Sequence, residues 1–358
     1  MSRTRAPLVV AVTLSVLAAL LAALPVSTSQ AAGTKGSATW DVSSYVAGTD
    51  KLQVHGKVPG GKRQVQLQVR TKSGWQTLKS RRSTGNGSYR LASTLDWVGT
   101  HKVRVFAPGR PAFSKGTKAR VSPGYDPVGT KSDFRLLGRS VAKTPRFNPC
   151  QPVTYKVNTD DVGPEALATV QAAIAQISHA TGMRFKFKGS TSFIPYNGKG
   201  RPSAGADLLI TWATTAEAKV FQDKDPGVAG VGGPLWGFAA RDAQGRRVVR
   251  TSEAGVVFKT ESYATTFTPA TETRDKFKPP VGRVIMHEIG HALGLDHSPS
   301  ATEIMYYTLW DADPDGVYRN RFGAGDLNGL DKVGYGQGCL RSLRGGRLVP
   351  APMPEPQV

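Results

Sequence analysis

Only two cysteines, Cys150 and Cys339, occur in 358 residues, so at most one intrachain disulfide can form. Long apolar runs are equally scarce. The one such run, Leu8 to Leu24, follows Arg3 and Arg5 and precedes Ser29-Gln30-Ala31, the pattern of a cleaved export signal over residues 1–32. A membrane anchor is the competing reading, although the run falls short of the about 20 apolar residues that a span requires. No other window could cross a bilayer, and the mature chain is expected to be a secreted, extracellular monomer. In an oxidising compartment the thiol pair is expected to join; two unpaired thiols are the alternative.

Acidic residues are nearly missing from the N-terminal part. Residues 33–122 hold 17 Lys/Arg against Asp41, Asp50 and Asp96, a net of +14 out of a formal +21 for the chain. From Cys150 onward, 23 Lys/Arg face 21 Asp/Glu, a net of +2. So local a positive field suits an anionic partner such as a cell-wall or matrix polymer. A solvated basic surface or a removable pro-domain would fit the same numbers.

Residues 38–122 also lack any helical window. Alternating runs such as Val65 to Val69 and Lys102 to Phe106, broken by Pro59-Gly60-Gly61 and Gly85-Asn86-Gly87, predict antiparallel strands in an immunoglobulin-like β-sandwich. Residues 123–149 are rich in Pro, Gly, Ser and Lys and read as a linker. After Cys150 strands and helices mix: a strand at Val153–Val157, a helix from Pro164 to about Thr181 with Leu167, Val170, Ile174 and Ile177 on one face, strands at 184–188, 207–213 and 255–259, and a helix from about Val281 to Leu293 behind Pro279-Pro280. The fold class is α+β, with an all-β module ahead of a mixed domain over residues 150–340 and a Pro-rich disordered tail over 341–358.

Within the second helix stands His287-Glu288-Ile289-Gly290-His291-Ala292-Leu293-Gly294-Leu295-Asp296-His297. Residues four apart share a helix face, so His287 and His291 can reach one Zn2+ ion; a glycine at 294 can turn the chain and return His297 as a third ligand. Three protein ligands leave a position for water, the arrangement of a catalytic rather than a closed structural zinc. Glu288, beside a ligand, is placed to accept a proton from the attacking water. A bare pair of histidines at helical spacing arises by accident; the addition of Gly294 and His297 makes accident a poor account.

The run His287 to Ser298, followed by Ile304-Met305-Tyr306, resembles the metzincin clan of zinc endopeptidases and most of all its matrixin branch. Ala206 to Ile210 and Gly325-Asp326-Leu327 are similar to a matrixin strand and last helix, so the resemblance covers about 190 residues, from Cys150 to Leu340. It implies protein or peptide substrates, a twisted five-stranded sheet above the zinc helix, and Met305 as an apolar floor under the histidines. It also places the glycine-rich Val228 to Gly233 where a substrate strand would pair. Tyr307 stands where matrixins place proline and other branches place a tyrosine that reaches toward zinc, which makes it a candidate oxyanion donor. A three-histidine structural zinc site is excluded, because His55, His101 and His179 are the only other histidines and two lie in the sandwich. Asp311 to Gly316 opens like a calcium loop but has Phe322 at its twelfth position, which excludes a complete EF-hand and leaves Ca2+ as a candidate second cofactor.

Overall fold

The computed structural model describes residues 36–41, 44–197, 205–222, 227–309, 311–343 and 348–350; the export-signal segment lies outside them. The N-terminal strands are β1 (Ser37–Trp40), β2 (Ser44–Val46), β3 (Leu52–Lys57), β4 (Gln64–Thr71), β5 (Gly74–Arg82), β6 (Ser88–Ser93), β7 (Gly99–Ala107) and β8 (Phe113–Ser122). They form a three-stranded sheet, β1-β3-β6, and a five-stranded one, β2-β8-β7-β4-β5. Alternation drives this: Val65, Leu67, Val69, Val103 and Val105 are fully buried and share one apolar cluster with Val54, Leu91 and Trp97. All pairings are antiparallel except β2 with β8, a long-range contact that local alternation does not announce. Gly87, at φ 82°, turns the chain so closely over Val58 that a side chain would overlap the Val58 carbonyl.

The segment read as a linker is packed rather than free. β9 (Arg135–Leu136) pairs antiparallel with Leu295–Asp296, directly before the third histidine. The Tyr125 hydroxyl donates to the Phe322 carbonyl at 2.9 Å, the Ala324 amide to Val128 at 2.7 Å, and the Ser298 hydroxyl to Asp133 at 2.8 Å. Thr144, Arg146 and Phe147 are buried. Its composition signals irregular backbone, which here finds its hydrogen-bond partners on the domain it crosses.

Beyond it come β10 (Val153–Asn158), α1 (Glu165–Thr181), β11 (Phe185–Ser190), β12 (Leu208–Ala213), β13 (Gly230–Arg241), β14 (Arg247–Lys259), α2 (Thr260–Thr266), β15 (Glu272–Thr273), α3 (Val281–Leu293), β16 (Leu295–Asp296), β17 (Tyr318–Arg319), α4 (Ala324–Val333), β18 (Arg341–Ser342) and β19 (Leu348–Pro350). The expected five strands form in the order β11-β10-β12-β14-β13, all parallel but for β13, which runs antiparallel to β14. Of the segment expected to be a disordered tail, residues 341–343 and 348–350 are among those described, and the remainder lies outside them. β18 and β19 add to the far half of β13, where backbone pairing offsets a composition poor in packing residues.

Helix α1 turns Val170, Ile174 and Ile177 into a cluster shared with Leu208 and Ile210 of the sheet and Ile285 and Ile289 of α3. Every residue of α3 is buried, so this helix is the centre of the domain. A disulfide joins Cys150 to Cys339 across 189 residues, a closure that contributes about 5 kcal/mol in the chain-entropy model. Among the described residues no helix is long and apolar enough to cross a membrane.

Candidate metal centre

Helix α3 presents His287 and His291 one turn apart, and Gly294 ends it at φ 110°. That glycine is required twice: its conformation is left-handed, and a side chain there would meet the Pro145 carbonyl at 2.6 Å. The chain then returns through β16 to His297. The Nε2 atom of His291 lies 3.1 Å from that of His287 and 3.2 Å from that of His297. His287 Nδ1 donates to the Ile304 carbonyl at 2.7 Å and His291 Nδ1 to the Leu295 carbonyl at 2.9 Å. A carbonyl only accepts, so both protons sit on Nδ1 and both Nε2 lone pairs face inward.

Burial keeps the rings neutral: it pushes His287 down to about 3, His291 well below its ordinary value, and His297 down against the opposing pull of Asp296. Converging lone pairs repel one another unless a cation sits between them. Tetrahedral zinc with nitrogen ligands at about 2.05 Å would place those nitrogens about 3.3 Å apart, close to the spacing found. The donor set therefore fits zinc. Among the described residues these three are the one group of His, Cys, Asp or Glu placed to hold a metal ion.

Glu288 follows His287 and is buried, which pushes its carboxyl up to about 8 against a backbone hydrogen bond from Gly232. Strand β13 crosses directly over it. A side chain at Gly230 would lie 2.9 Å from Glu288 Cγ and 3.1 Å from Oε1, and one at Gly232 would overlap the Glu288 backbone. The glycines thus let a strand lie against the zinc helix. Among the described residues, 230–234 pair only with β14, so their outer edge carries no strand.

Beneath the histidines lies Met305, fully buried, with its sulfur where a side chain on Gly290 would be. Two buried carboxyls fix this turn. Asp326 accepts from the amides of Ile304 (2.6 Å), Met305 (3.2 Å) and Gly323 (3.2 Å), while Glu303 accepts from those of Gly325 (3.1 Å) and Asp326 (2.7 Å). Burial raises both pKa values; the Asp326 charge raises that of Glu303 further, while the hydrogen bond with Glu303 lowers that of Asp326, so the proton the pair holds belongs on Glu303. Sequence reasoning missed this pair, noting Asp326 only as a helix opener; its position at the third residue of α4 was the available signal.

Tyr307 is 45% exposed and packs on Tyr306 with ring centroids 4.5 Å apart. The acidic loop at 311–315 is engaged by arginine: buried Arg283 of α3 bonds Asp313 and the Asp311 carbonyl, and Arg319 grips Asp315 with both terminal nitrogens. Guanidinium groups thus pair with two of the three carboxylates that were candidates for calcium, Asp313 and Asp315. His55 pairs with Asp41, and His101 bonds the Trp97 carbonyl, both remote from the triad in sequence and fold.

A family model described as matrixin matches residues 41–333. No curated protein matches the chain. Three histidines converging as a zinc site on one helix and its returning strand, inside a match of this length, lead to one conclusion: the chain belongs to the matrixin family, whose members use a catalytic zinc, and is a metalloendopeptidase.

Proposed function

We propose that this protein is a secreted endopeptidase in which Glu288 serves as general base, and that residues 38–122 form an immunoglobulin-like module that anchors it to anionic polymers. Zinc, when bound by His287, His291 and His297, supplies Lewis acidity that polarises the peptide carbonyl and acidifies water. Glu288 accepts the water proton as oxygen adds to the carbonyl carbon, then delivers it to the departing amine as the C–N bond breaks. The observation that carries this reading is the Glu288 carboxyl, buried next to His287 and covered by Gly230.

An extended peptide adding to the outer edge of 230–234 would run past that carboxyl, with backbone hydrogen bonds fixing its register. Tyr307, half exposed with its ring packed on Tyr306, remains the candidate donor of a hydrogen bond to the oxyanion. The Cys150–Cys339 bridge supports export, since such bonds persist in oxidising compartments. The test is cleavage of a protein substrate before and after chelation. Loss with chelator and recovery on adding zinc is expected; cleavage indifferent to chelation would remove the metal from the account.

A further inference from the structure

The outward face of the five-stranded sheet carries an arrangement that peptide hydrolysis does not use. The register sorts its residues: Thr100 pairs with Arg120, Lys102 with Lys118, Arg104 with Gly116 and with Gln68, Phe106 with Gln66, Arg70 with Trp75, and Gln64 with Arg82. Paired residues point the same way, and the intervening Val65, Leu67, Val69, Val103 and Val105 are buried on the other face. None of the five strands contains Asp or Glu.

Two features set this face apart from an ordinary solvated one. Lys102 and Lys118 stand directly opposite each other without a carboxylate in the sheet, an arrangement that costs stability in the unliganded protein. Arg104, by contrast, is held in place. Its guanidinium lies 4.3 Å from the Trp75 ring centre and 4.6 Å from that of Phe106, and its Nε donates to Gln68 Oε1 at 2.8 Å. The row is already ordered, since Gln68 Nε2 bonds Gln66 Oε1 and Gln64 Nε2 bonds the Ser80 hydroxyl.

From this juxtaposition we infer that the outward face of β8-β7-β4-β5 is a binding surface for an acidic polysaccharide. This deepens the anchoring proposal and rests on it. The cations answer carboxylate or sulfate groups, and strands about 4.8 Å apart repeat the cations on the scale of single sugar rings. The glutamine amides offer donors and acceptors to neighbouring hydroxyls. A sheet face with its Trp75 already stacked under Arg104 and Arg70 favours a glycan over the unstacked bases of a nucleic acid, which need an open aromatic face.

The test uses the full chain and measures binding to dextran sulfate, polygalacturonate, neutral dextran and a single-stranded oligonucleotide over a salt series. Binding to the two acidic glycans, absent for neutral dextran and weakened by salt, is expected. The triple variant Lys102→Gln/Lys118→Gln/Arg120→Gln should weaken it about tenfold or more, whereas Lys51→Gln/Lys57→Gln/Arg90→Gln, an equal charge change on the three-stranded sheet and its approach, should weaken it far less. Equal losses would overturn the assignment to this face while leaving the anchor reading intact. No glycan binding by the wild-type chain would overturn both, and tighter binding to the oligonucleotide at equal salt would overturn the glycan. Peptide cleavage, assayed beside each variant, should stay unchanged.

Discussion

The two sheet-rich halves of this chain treat charge in opposite ways. In residues 37–122 the core is apolar, His101, Tyr45 and Tyr89 being its buried titratable groups among the described residues, and the 16 Lys/Arg that outweigh Asp41, Asp50 and Asp96 lie on the surface. The half beyond Cys150 is nearly neutral overall yet buries Arg283, His287, Glu288, His291, Glu303, Asp313 and Asp326 around one helix. Burying such groups is costly unless each finds a partner, so their concentration marks where the fold is organised for chemistry rather than for stability alone. Surface charge in the first half carries no such cost and is free to serve recognition.

That contrast breaks if a buried carboxyl of the second half proves merely structural. Asp326→Ala would strand the amides of Ile304, Met305 and Gly323, at about 1–3 kcal/mol for each left unsatisfied. Because the Ile304 carbonyl orients His287, zinc affinity should fall about 10- to 100-fold, the usual effect of removing such a supporting partner. A zinc titration alongside a thermal melt separates the two consequences. Lower melting temperature with unchanged zinc affinity would leave Asp326 as scaffold only.

The complementary change sharpens the contrast from the other side. His101 bonds the Trp97 carbonyl at 2.6 Å and stacks on that indole at 3.8 Å, so His101→Ala should cost about 1–3 kcal/mol in stability and nothing in turnover of the folded enzyme. Altered cleavage kinetics at a temperature where the variant is folded would show that the halves are functionally coupled.

Helix α3 was legible to the residue, because Pro279-Pro280 and Gly294 are local stop signals and the histidine spacing declares its face. Helix α1 and strands β10 and β12 followed for similar reasons, each with a strong period of its own. Strand β13 was not readable from alternation: its glycines serve a close approach to Glu288 that exists only in three dimensions. Nor was the first half of β14, where Arg247, Arg250, Thr251, Ser252 and Glu253 hide the strand continuing to Lys259. The packing of 123–149 escaped for another reason, since irregular backbone gains its partners from residues far away in the chain, as Tyr125 does from Phe322. The Glu303–Asp326 pair likewise joins residues on separate elements that no short motif connects.

The central claim is that Glu288 moves protons while the three histidines hold the metal. Glu288→Gln keeps the shape and removes the proton acceptor, so the variant should retain one zinc per chain by elemental analysis while turnover falls about 10²- to 10⁴-fold. Wild-type-like turnover in the zinc-loaded Glu288→Gln protein would contradict the account.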